Sequence, residues 1–117
     1  MPLQELSLFF PCHNEADNLE ALVDDALAAL PALATTYEVI LVDDGSRDNT
    51  AVVAERLVQR HAGVVRLVRH EVNRGYGGAL RSGFAAARYS HLAYTDGDRQ
   101  FRIADLARLL DGAQETG

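Results

Sequence analysis

Cysteine and long apolar runs are both scarce in this chain, and each scarcity excludes a class of protein. Cys12 is the single cysteine among 117 residues, so an internal disulfide is excluded and a reducing, cytoplasmic setting is expected. No apolar run approaches the roughly 18 residues that a membrane-spanning helix needs. Glu5 interrupts the start of the chain and no basic stretch precedes an apolar one, so we expect no signal peptide.

Positive charge is also in short supply. Lys and Arg number 11 against 17 Asp and Glu, which gives a net charge of −6. Such a surface would repel nucleic acid and anionic membranes, so we expect no nucleic-acid partner. Any phosphate ligand must then be held by local donors or through a metal ion. The hydrophobic content of 48% supports a globular fold, and the length fits a single domain over residues 1–117.

Strand-like apolar segments alternate with segments of helical periodicity. Strands are predicted at residues 6–10, 37–42, 64–68 and 91–95, and each is followed by a helix. Pro31 is predicted to end the first helix, and the third is predicted over residues 79–87. The order βαβαβαβα predicts an α/β fold of three layers, a Rossmann-like parallel sheet with helices on both faces.

Polar side chains follow three of the predicted strands. In parallel α/β sheets, ligands bind beyond the carboxyl ends of the strands, close to the point where the strand order reverses. The side chains that we expect at this edge are Asn14, Glu15, Asp43, Asp44, Asp96 and Asp98. The acids among them would repel a bare pyrophosphate, whereas a bound divalent cation reverses the local sign. The pattern therefore favours a metal-dependent nucleotide-diphosphate site over metal-free NAD binding.

Asp96 and Asp98 flank a glycine directly after the fourth predicted strand. Residues two apart on an extended chain point to the same side, with Cα atoms roughly 7 Å apart, so both carboxylates can converge on one cation. Mg²⁺ typically takes one or two carboxylates, with phosphates and water in its other positions. Gln100 could reach the same cation or its water. The structural alternatives are an Asp-Gly turn and an exposed loop amide.

The loops after the first two strands also allow two interpretations. The Asp43 carboxylate could accept hydrogen bonds from a nucleobase or ribose, or Asp43 and Asp44 could belong to a turn before a helix cap. Glu15 and the backbone after Pro11 could hold base and ribose, or Glu15 could be a favourable early acid of a helix. His13 has no second histidine placed with it, so we expect an exposed loop residue and not a metal ligand.

A glycine-rich segment, residues 73–78, follows the third predicted strand. Glycines before a helix allow close backbone approach, and a helix N-terminus favours anions, so Gly75 is a candidate phosphate contact. Arg74 could add a charged donor. The segment matches a dinucleotide fingerprint only in Gly75 and Gly77, because Leu80 holds the third position and the segment follows the wrong strand. The alternative is a flexible loop closing a βα turn.

Four segments, FPCHNE at 10–15, VDDGSRDNT at 42–50, NRGYGGA at 73–79 and TDGDRQF at 95–101, occur in a characteristic order and spacing. Together they resemble the family 2 glycosyltransferases of the GT-A fold, especially the dolichol-phosphate mannosyltransferase-like branch, over nearly the whole chain. The resemblance implies a nucleotide-diphospho-sugar transferase fold and a UDP- or GDP-sugar donor. It also implies Mg²⁺ or Mn²⁺ as cofactor and a polyprenyl phosphate, another lipid or a saccharide as acceptor.

The same resemblance implies roles for individual residues. Pro11, Glu15 and Asp43 would contact base and ribose. Asp96 and Asp98 would form the metal-binding DxD pair, with Gln100 beside them. The full nucleotide-sugar site that we expect comprises Pro11, Asn14, Glu15, Asp43, Asp44, Arg74, Gly75 and Asp96. No residue is identified as a catalytic base.

Members of this family continue with a further strand and an acceptor-side half, often with membrane helices, whereas this sequence ends at Gly117. We therefore expect a truncated, donor-binding half that binds nucleotide weakly and does not transfer sugar alone. Full-length relatives of this branch are often associated with the cytoplasmic face of a membrane. An exposed edge at the fourth strand would invite pairing with another chain, so we expect a homodimer or poor solubility.

Three other functions fit parts of the pattern. The main alternative is a non-catalytic nucleotide-binding or interaction module, which would bind nucleotide with metal and show no turnover. A sugar-nucleotide pyrophosphorylase would need a glycine-rich, basic loop after the first strand, where this chain has residues 11–15. An NAD-binding Rossmann domain is disfavoured by the placement of the glycines and by the acidic cluster.

Overall fold

The computed structural model describes residues 3–94, and the predicted metal ligands Asp96, Asp98 and Gln100 lie outside them. Within that range the predicted alternation of strands and helices is confirmed. The elements are β1 (Leu3–Cys12), α1 (Ala16–Leu33), β2 (Ala34–Asp44), α2 (Thr50–Arg60), β3 (Val65–His70), α3 (Gly75–Ala86) and β4 (Leu92–Tyr94).

The strands form one parallel sheet in the order β3-β2-β1-β4. The chain builds outward from β1 through β2 to β3 and then returns to place β4 on the opposite side of β1. The strand order therefore reverses at β1, where a parallel sheet opens a crevice beyond its carboxyl edge. β4 pairs with β1 over three residues, and in the described part of the chain no strand pairs with its other edge. Dimerisation through that edge stays a prediction.

Helices cover both faces of the sheet, as the sequence predicts. α1 and α2 pack together on one face, over a core that includes Leu6, Leu8 and Phe10 of β1. α3 packs on the other face, over a smaller cluster that includes Phe9 and Ile40. Successive strand residues point to opposite faces, so β1 supplies apolar side chains to both cores, with an unbroken apolar run from Leu8 to Phe10.

The first helix is longer than the sequence predicts. Pro31 lies inside α1, and the helix continues to Leu33 before β2 begins at Ala34. A proline in a helix loses one backbone hydrogen bond. The last turn persists because Ala29 and Leu30 are buried against the core and the Ala34 amide donates to the Leu30 carbonyl.

The third helix begins earlier than predicted, at Gly75 and not at Ala79. Its first amides already have acceptors: Asp44 Oδ1 accepts from the Arg74 amide at 2.8 Å, and Asn73 Oδ1 accepts from the Gly75 amide at 2.9 Å. These bonds satisfy donors that a helix start otherwise leaves unpaired. The glycines expected in a loop therefore belong to the first turns of α3.

Gly83 sets how closely α3 approaches the sheet. A Cβ atom on Gly83 would lie 2.3 Å from ring carbons of Phe9, which is fully buried. The same ring stacks on Tyr94 of β4, with centroids 5.2 Å apart, and meets Phe84 of α3 edge-on at 5.4 Å. Gly83 thus allows one aromatic side chain to join β1, β4 and α3.

A buried carboxylate joins β1, β2 and β3 near the level at which β3 and β4 begin. Glu38 of β2 has no exposed surface. Its oxygens accept from Ser7 Oγ at 2.6 Å, from Arg66 Nε at 2.9 Å, and from the backbone and Nε nitrogens of Arg88 at 2.8 and 2.9 Å. Burial raises the pKa of Glu38, but the hydrogen bonds from Ser7, Arg88 and Arg66 outweigh it, so the pKa lies below its ordinary value.

We expect Gly83→Ala to destabilise the fold by about 1–3 kcal/mol, because the added methyl group overlaps the Phe9 ring. Denaturant unfolding measures the difference. Gly77→Ala is the matched control in the same helix, since its Cβ would meet only the Arg81 side chain at an ordinary 3.6 Å. Gly77→Ala should be neutral or stabilise by up to about 1 kcal/mol. Equal stability of the two variants would contradict the packing argument.

We expect Glu38→Gln to lower the free energy of unfolding by on the order of 3 kcal/mol at neutral pH, because it leaves partly buried guanidinium groups without their counter-charge. A carboxylate with a lowered folded-state pKa stabilises above its unfolded pKa of about 4.5 and loses that effect as the pH falls. The variant's deficit should therefore shrink below that pH in denaturation series. Glu20→Gln, which removes an exposed pair with Arg60, should scarcely change stability. A pH-independent deficit for Glu38→Gln would count against an ionised Glu38.

Candidate functional site

Three loops meet at the carboxyl edge of the sheet and enclose two adjoining cavities. The larger has a volume of about 560 Å³ and the smaller about 180 Å³. Residues lining the larger cavity are His13, Asn14, Gly45, Ser46, Arg47, Glu71, Val72 and Asn73. Residues lining the smaller one are Pro11, Cys12, His13, Asp44, Asn73, Gly75, Tyr76 and Ala79. His13 and Asn73 line both, so the two cavities form one continuous cleft.

The loops after β1 and β2 hold each other in place. Asn14 has a positive φ of 56°, which asparagine tolerates better than most residues. Its backbone amide donates to Ser46 Oγ at 2.9 Å, and its Oδ1 accepts from the Arg47 amide at 2.8 Å. The next amide, that of Glu15, donates to the buried Thr50 hydroxyl at 2.9 Å. Asn14 therefore shapes the floor of the larger cavity as well as lining it.

Asp43 and Glu15 are not among the residues that line the two cavities. Asp43 is 1% exposed, and its Oδ1 accepts from the Ser46 amide at 3.2 Å, which closes the turn after β2. The Glu15 carboxylate is half-buried and accepts from Asn18 Nδ2 at 3.1 Å. Direct contact of these two acids with a ligand stays a prediction.

Cys12 lies at the end of β1, beside Asp43 in the parallel register. Burial raises the pKa of its thiol well above the ordinary value, and the Asp43 and Glu15 carboxylates raise it further. The thiol donates to the Phe10 carbonyl at 3.3 Å. A protonated, buried thiol is a poor nucleophile, so Cys12 acts as a small core residue.

Asp44 is tied to the loop that follows β3. Its Oδ1 accepts from His70 Nδ1 and from the Arg74 amide, each at 2.8 Å, and its backbone carbonyl accepts from Asn73 Nδ2 at 3.2 Å. Burial raises the pKa of Asp44, but the hydrogen bonds from His70 and from backbone amides lower it by more. The pKa of Asp44 therefore lies below its ordinary value. Asp44 is thus an ionised carboxylate that faces the smaller cavity while holding the loop.

The backbones of two loops are in direct contact at Gly45. Its φ is 69°, and a Cβ there would lie 2.4 Å from the Asn73 backbone nitrogen. Glycine is required on both counts, since a side chain would be strained and would displace the neighbouring loop. This contact brings the β2 and β3 loops together as opposite walls of the larger cavity.

Two exposed arginines flank the start of α3. Arg74 precedes Gly75, whose φ is 81°, and Arg81 lies over the side-chain-free surface of Gly77 and Gly78. Arg81 is exposed, and its guanidinium nitrogens lie about 3.6–3.7 Å from the positions where those glycines would carry a Cβ. Neither arginine is among the residues that line the two cavities, so contact of Arg74 with a ligand stays a prediction.

Sequence reasoning missed His70, Ser82 and Thr50. His70 ends β3 at the same edge where Asp44 ends β2 and Glu15 follows β1, and this position was the available signal. Ser82 and Thr50 lie within helical patterns that predict nothing beyond a helix.

Residues 3–94 hold no group of three or more His, Cys, Asp or Glu side chains arranged to bind a metal ion. In the same range, no helix is both long enough and apolar enough to cross a bilayer.

Solved structures show where this fold has been seen. The mannosyltransferase PcManGT from Pyrobaculum calidifontis, in complex with GDP-Man and Mn²⁺, matches 80% of this chain with a TM-score of 0.70 and 26% identity, over 27% of its own length. The TarS 1-349 structure from S. aureus matches 96% of the chain with a TM-score of 0.73 and 23% identity, over 33% of its length. The second likeness is one of fold alone. Together with the parallel sheet and its helices, these likenesses confirm the predicted GT-A fold class.

Sequence relatives point the same way. The human dolichyl-phosphate beta-glucosyltransferase is 36% identical over an alignment of 120 residues, which covers 97% of this chain and 37% of the relative. The dodecaprenyl-phosphate galacturonate synthase of Rhizobium johnstonii is 40% identical over 106 residues, 91% of this chain and 31% of the relative. The chain spans about a third of the length of these curated relatives. The family model described as glycosyl transferase family 2 matches residues 7–117, and the chain belongs to that family.

Proposed function

We propose that this chain supplies the nucleotide-sugar site of a metal-dependent glycosyltransferase that uses a UDP- or GDP-sugar. The observation that carries the proposal is the cleft at the carboxyl edge of the sheet, built from the three loops that the sequence singled out. Its larger cavity, about 560 Å³, falls in the size range of small-molecule sites. Its position beside the strand-order reversal is where parallel α/β sheets bind ligands.

The base and ribose would occupy the cleft between the β1 and β2 loops. Pro11 and Asn14 line it directly, and Asp44 faces its smaller cavity. Glu15 and Asp43 enter this proposal through their motifs, as carboxylates just beyond β1 and at the end of β2. Each would then accept a hydrogen bond from a base N–H or a ribose hydroxyl.

The phosphates would lie on the α3 side of the cleft. Arg74 directly precedes Gly75 and would offer a guanidinium group there, and Gly75, which lines the smaller cavity, would allow the backbone to approach a ligand closely. The start of a 12-residue helix adds a favourable partial positive charge. These donors provide the local positive charge that a net charge of −6 does not supply elsewhere.

Asp96, Asp98 and Gln100 would hold the divalent cation. Their oxygen donors suit Mg²⁺ or Mn²⁺, and the solved mannosyltransferase that this chain resembles holds Mn²⁺ with its GDP-sugar. When bound, such an ion stabilises the negative charge that develops on the departing nucleotide diphosphate.

A polyprenyl phosphate is the acceptor that the relatives suggest. The names of several relatives at 30–40% identity specify transfer to a dolichyl, dodecaprenyl or undecaprenyl phosphate. A saccharide or another lipid is the wider alternative that the family resemblance allows. The acceptor site and the group that activates the acceptor are not among the residues that we assign.

Calorimetric titration of the intact protein with UDP and GDP, each with and without Mn²⁺, tests this proposal. We expect one of the two nucleotides to bind at least about tenfold more tightly with Mn²⁺, a difference of about 1.4 kcal/mol. Asp98→Ala should abolish the gain because it removes a carboxylate from the ion. Asp25→Ala, at an exposed acid of α1, changes the net charge equally and should keep the gain.

Two results would overturn parts of the proposal. Failure of both nucleotides to bind under any of these conditions would refute the donor site. Mn²⁺-dependent binding without sugar transfer to a polyprenyl phosphate or a saccharide, in the intact protein, would select the non-catalytic nucleotide-binding module.

A further inference from the structure

A buried histidine links the nucleotide cleft to the body of the protein. His70, the last residue of β3, is 3% exposed. Its Nδ1 lies 2.8 Å from Asp44 Oδ1 on β2, and its Nε2 lies 2.7 Å from Ser82 Oγ on α3. One imidazole ring therefore bridges two strands and a helix, with both nitrogens engaged.

The chemistry of the two partners fixes the ring's proton. An ionised carboxylate only accepts hydrogen bonds, so Nδ1 of His70 must carry a hydrogen towards Asp44. Ser82 has a hydroxyl that can either donate or accept, so it can pair with Nε2 in either state of that nitrogen. The Nδ1–H of His70 therefore donates to Asp44 in a direction set by the ring. Ser82 bonds to Nε2 on the opposite side and fixes the ring's orientation.

The Asp44 carboxylate in turn holds the loop after β3. The same Oδ1 that accepts from His70 also accepts from the Arg74 amide at 2.8 Å. The loop from Glu71 to Arg74 is exposed, with Val72 at 74%, so apart from the backbone contact of Asn73 with Gly45 little packing fixes its shape. Glu71, Val72 and Asn73 line the larger cavity. The shape of that wall therefore depends on hydrogen bonds to Asp44.

We propose that His70 is a positioning residue for the nucleotide site: its Nδ1–H orients the Asp44 carboxylate, which holds the 71–74 loop as a wall of the cleft. The ligand, a nucleoside diphosphate, rests on the function proposed above. The role of His70 in holding the loop does not rest on that function, because it follows from the contacts among Asp44, His70 and Arg74.

A pair of substitutions separates the two ends of the ring. The side-chain amide nitrogen of asparagine can take the place of Nδ1, whereas that of glutamine reaches the place of Nε2. His70→Asn therefore keeps a donor for Asp44, and His70→Gln keeps a partner for Ser82 instead. Both variants remove the ring, and asparagine is the smaller of the two side chains, so a role in packing alone would affect His70→Asn at least as strongly as His70→Gln.

Two measurements on the intact protein give the result. Amide hydrogen exchange at Arg74 reports the loop directly, and titration with UDP and GDP in the presence of Mn²⁺ reports the site. For His70→Gln we expect exchange at Arg74 and the nucleotide Kd each to rise about tenfold, the loss expected for one hydrogen bond to a charged group. For His70→Asn both should stay within about threefold of the wild type. Ser82→Ala, which leaves the Asp44 arm intact, should also stay within about threefold.

Equal effects of His70→Asn and His70→Gln on both measurements would overturn the proposal. The ¹⁵N spectrum of the wild-type imidazole gives a test that does not depend on folded variants. A hydrogen on Nδ1 is required, and a bare Nδ1 refutes the arrangement. If the wild type binds neither nucleotide, the proposed function fails, while exchange at Arg74 still decides whether His70 holds the loop.

Discussion

Parallel pairing around β1 is the constraint on which the rest of this structure depends. β1 is paired with β2 on one side and β4 on the other, and its side chains enter the cores on both faces. Because the strands are parallel, their carboxyl ends fall at one edge, and the loops after β1, β2 and β3 must meet there. The strand order reverses at this same strand, so the sheet opens where those loops converge. The cleft is a consequence of topology before any side chain is considered.

β2 carries one buried carboxylate near its middle, Glu38, and another at its carboxyl end, Asp44, and each is stabilised in a different way. Taking a carboxylate out of water costs several kcal/mol, while each hydrogen bond to it returns roughly 1.5–3 kcal/mol. Glu38 meets that cost with donors from Ser7, Arg66 and Arg88, which fasten neighbouring strands and the chain after α3. Asp44 meets it with His70 and a backbone amide of an exposed loop. One carboxylate therefore stabilises the frame, and the other shapes the site.

The sequence predicted the order of elements, the parallel sheet and the meeting of the loops, because hydrophobic periodicity and strand-end polarity are local signals. It placed the end of α1 and the start of α3 wrongly, since burial of Leu30 and the bond from the Arg74 amide to Asp44 are tertiary effects. The network around Glu38 was invisible for the same reason: its partners are 28 to 50 positions away. The roles of Asp96, Asp98 and Gln100 stay predictions, since they lie outside the described residues.

The contact at Gly45 couples the conformations of two loops that are separate in the chain. A methyl group at this position would have to occupy the space of the Asn73 backbone nitrogen, so neither loop can change its path alone. An insertion or a bulkier residue in one loop requires a matching change in the other. A graft of these loops between relatives would therefore have to transfer the β2 and β3 loops as one unit.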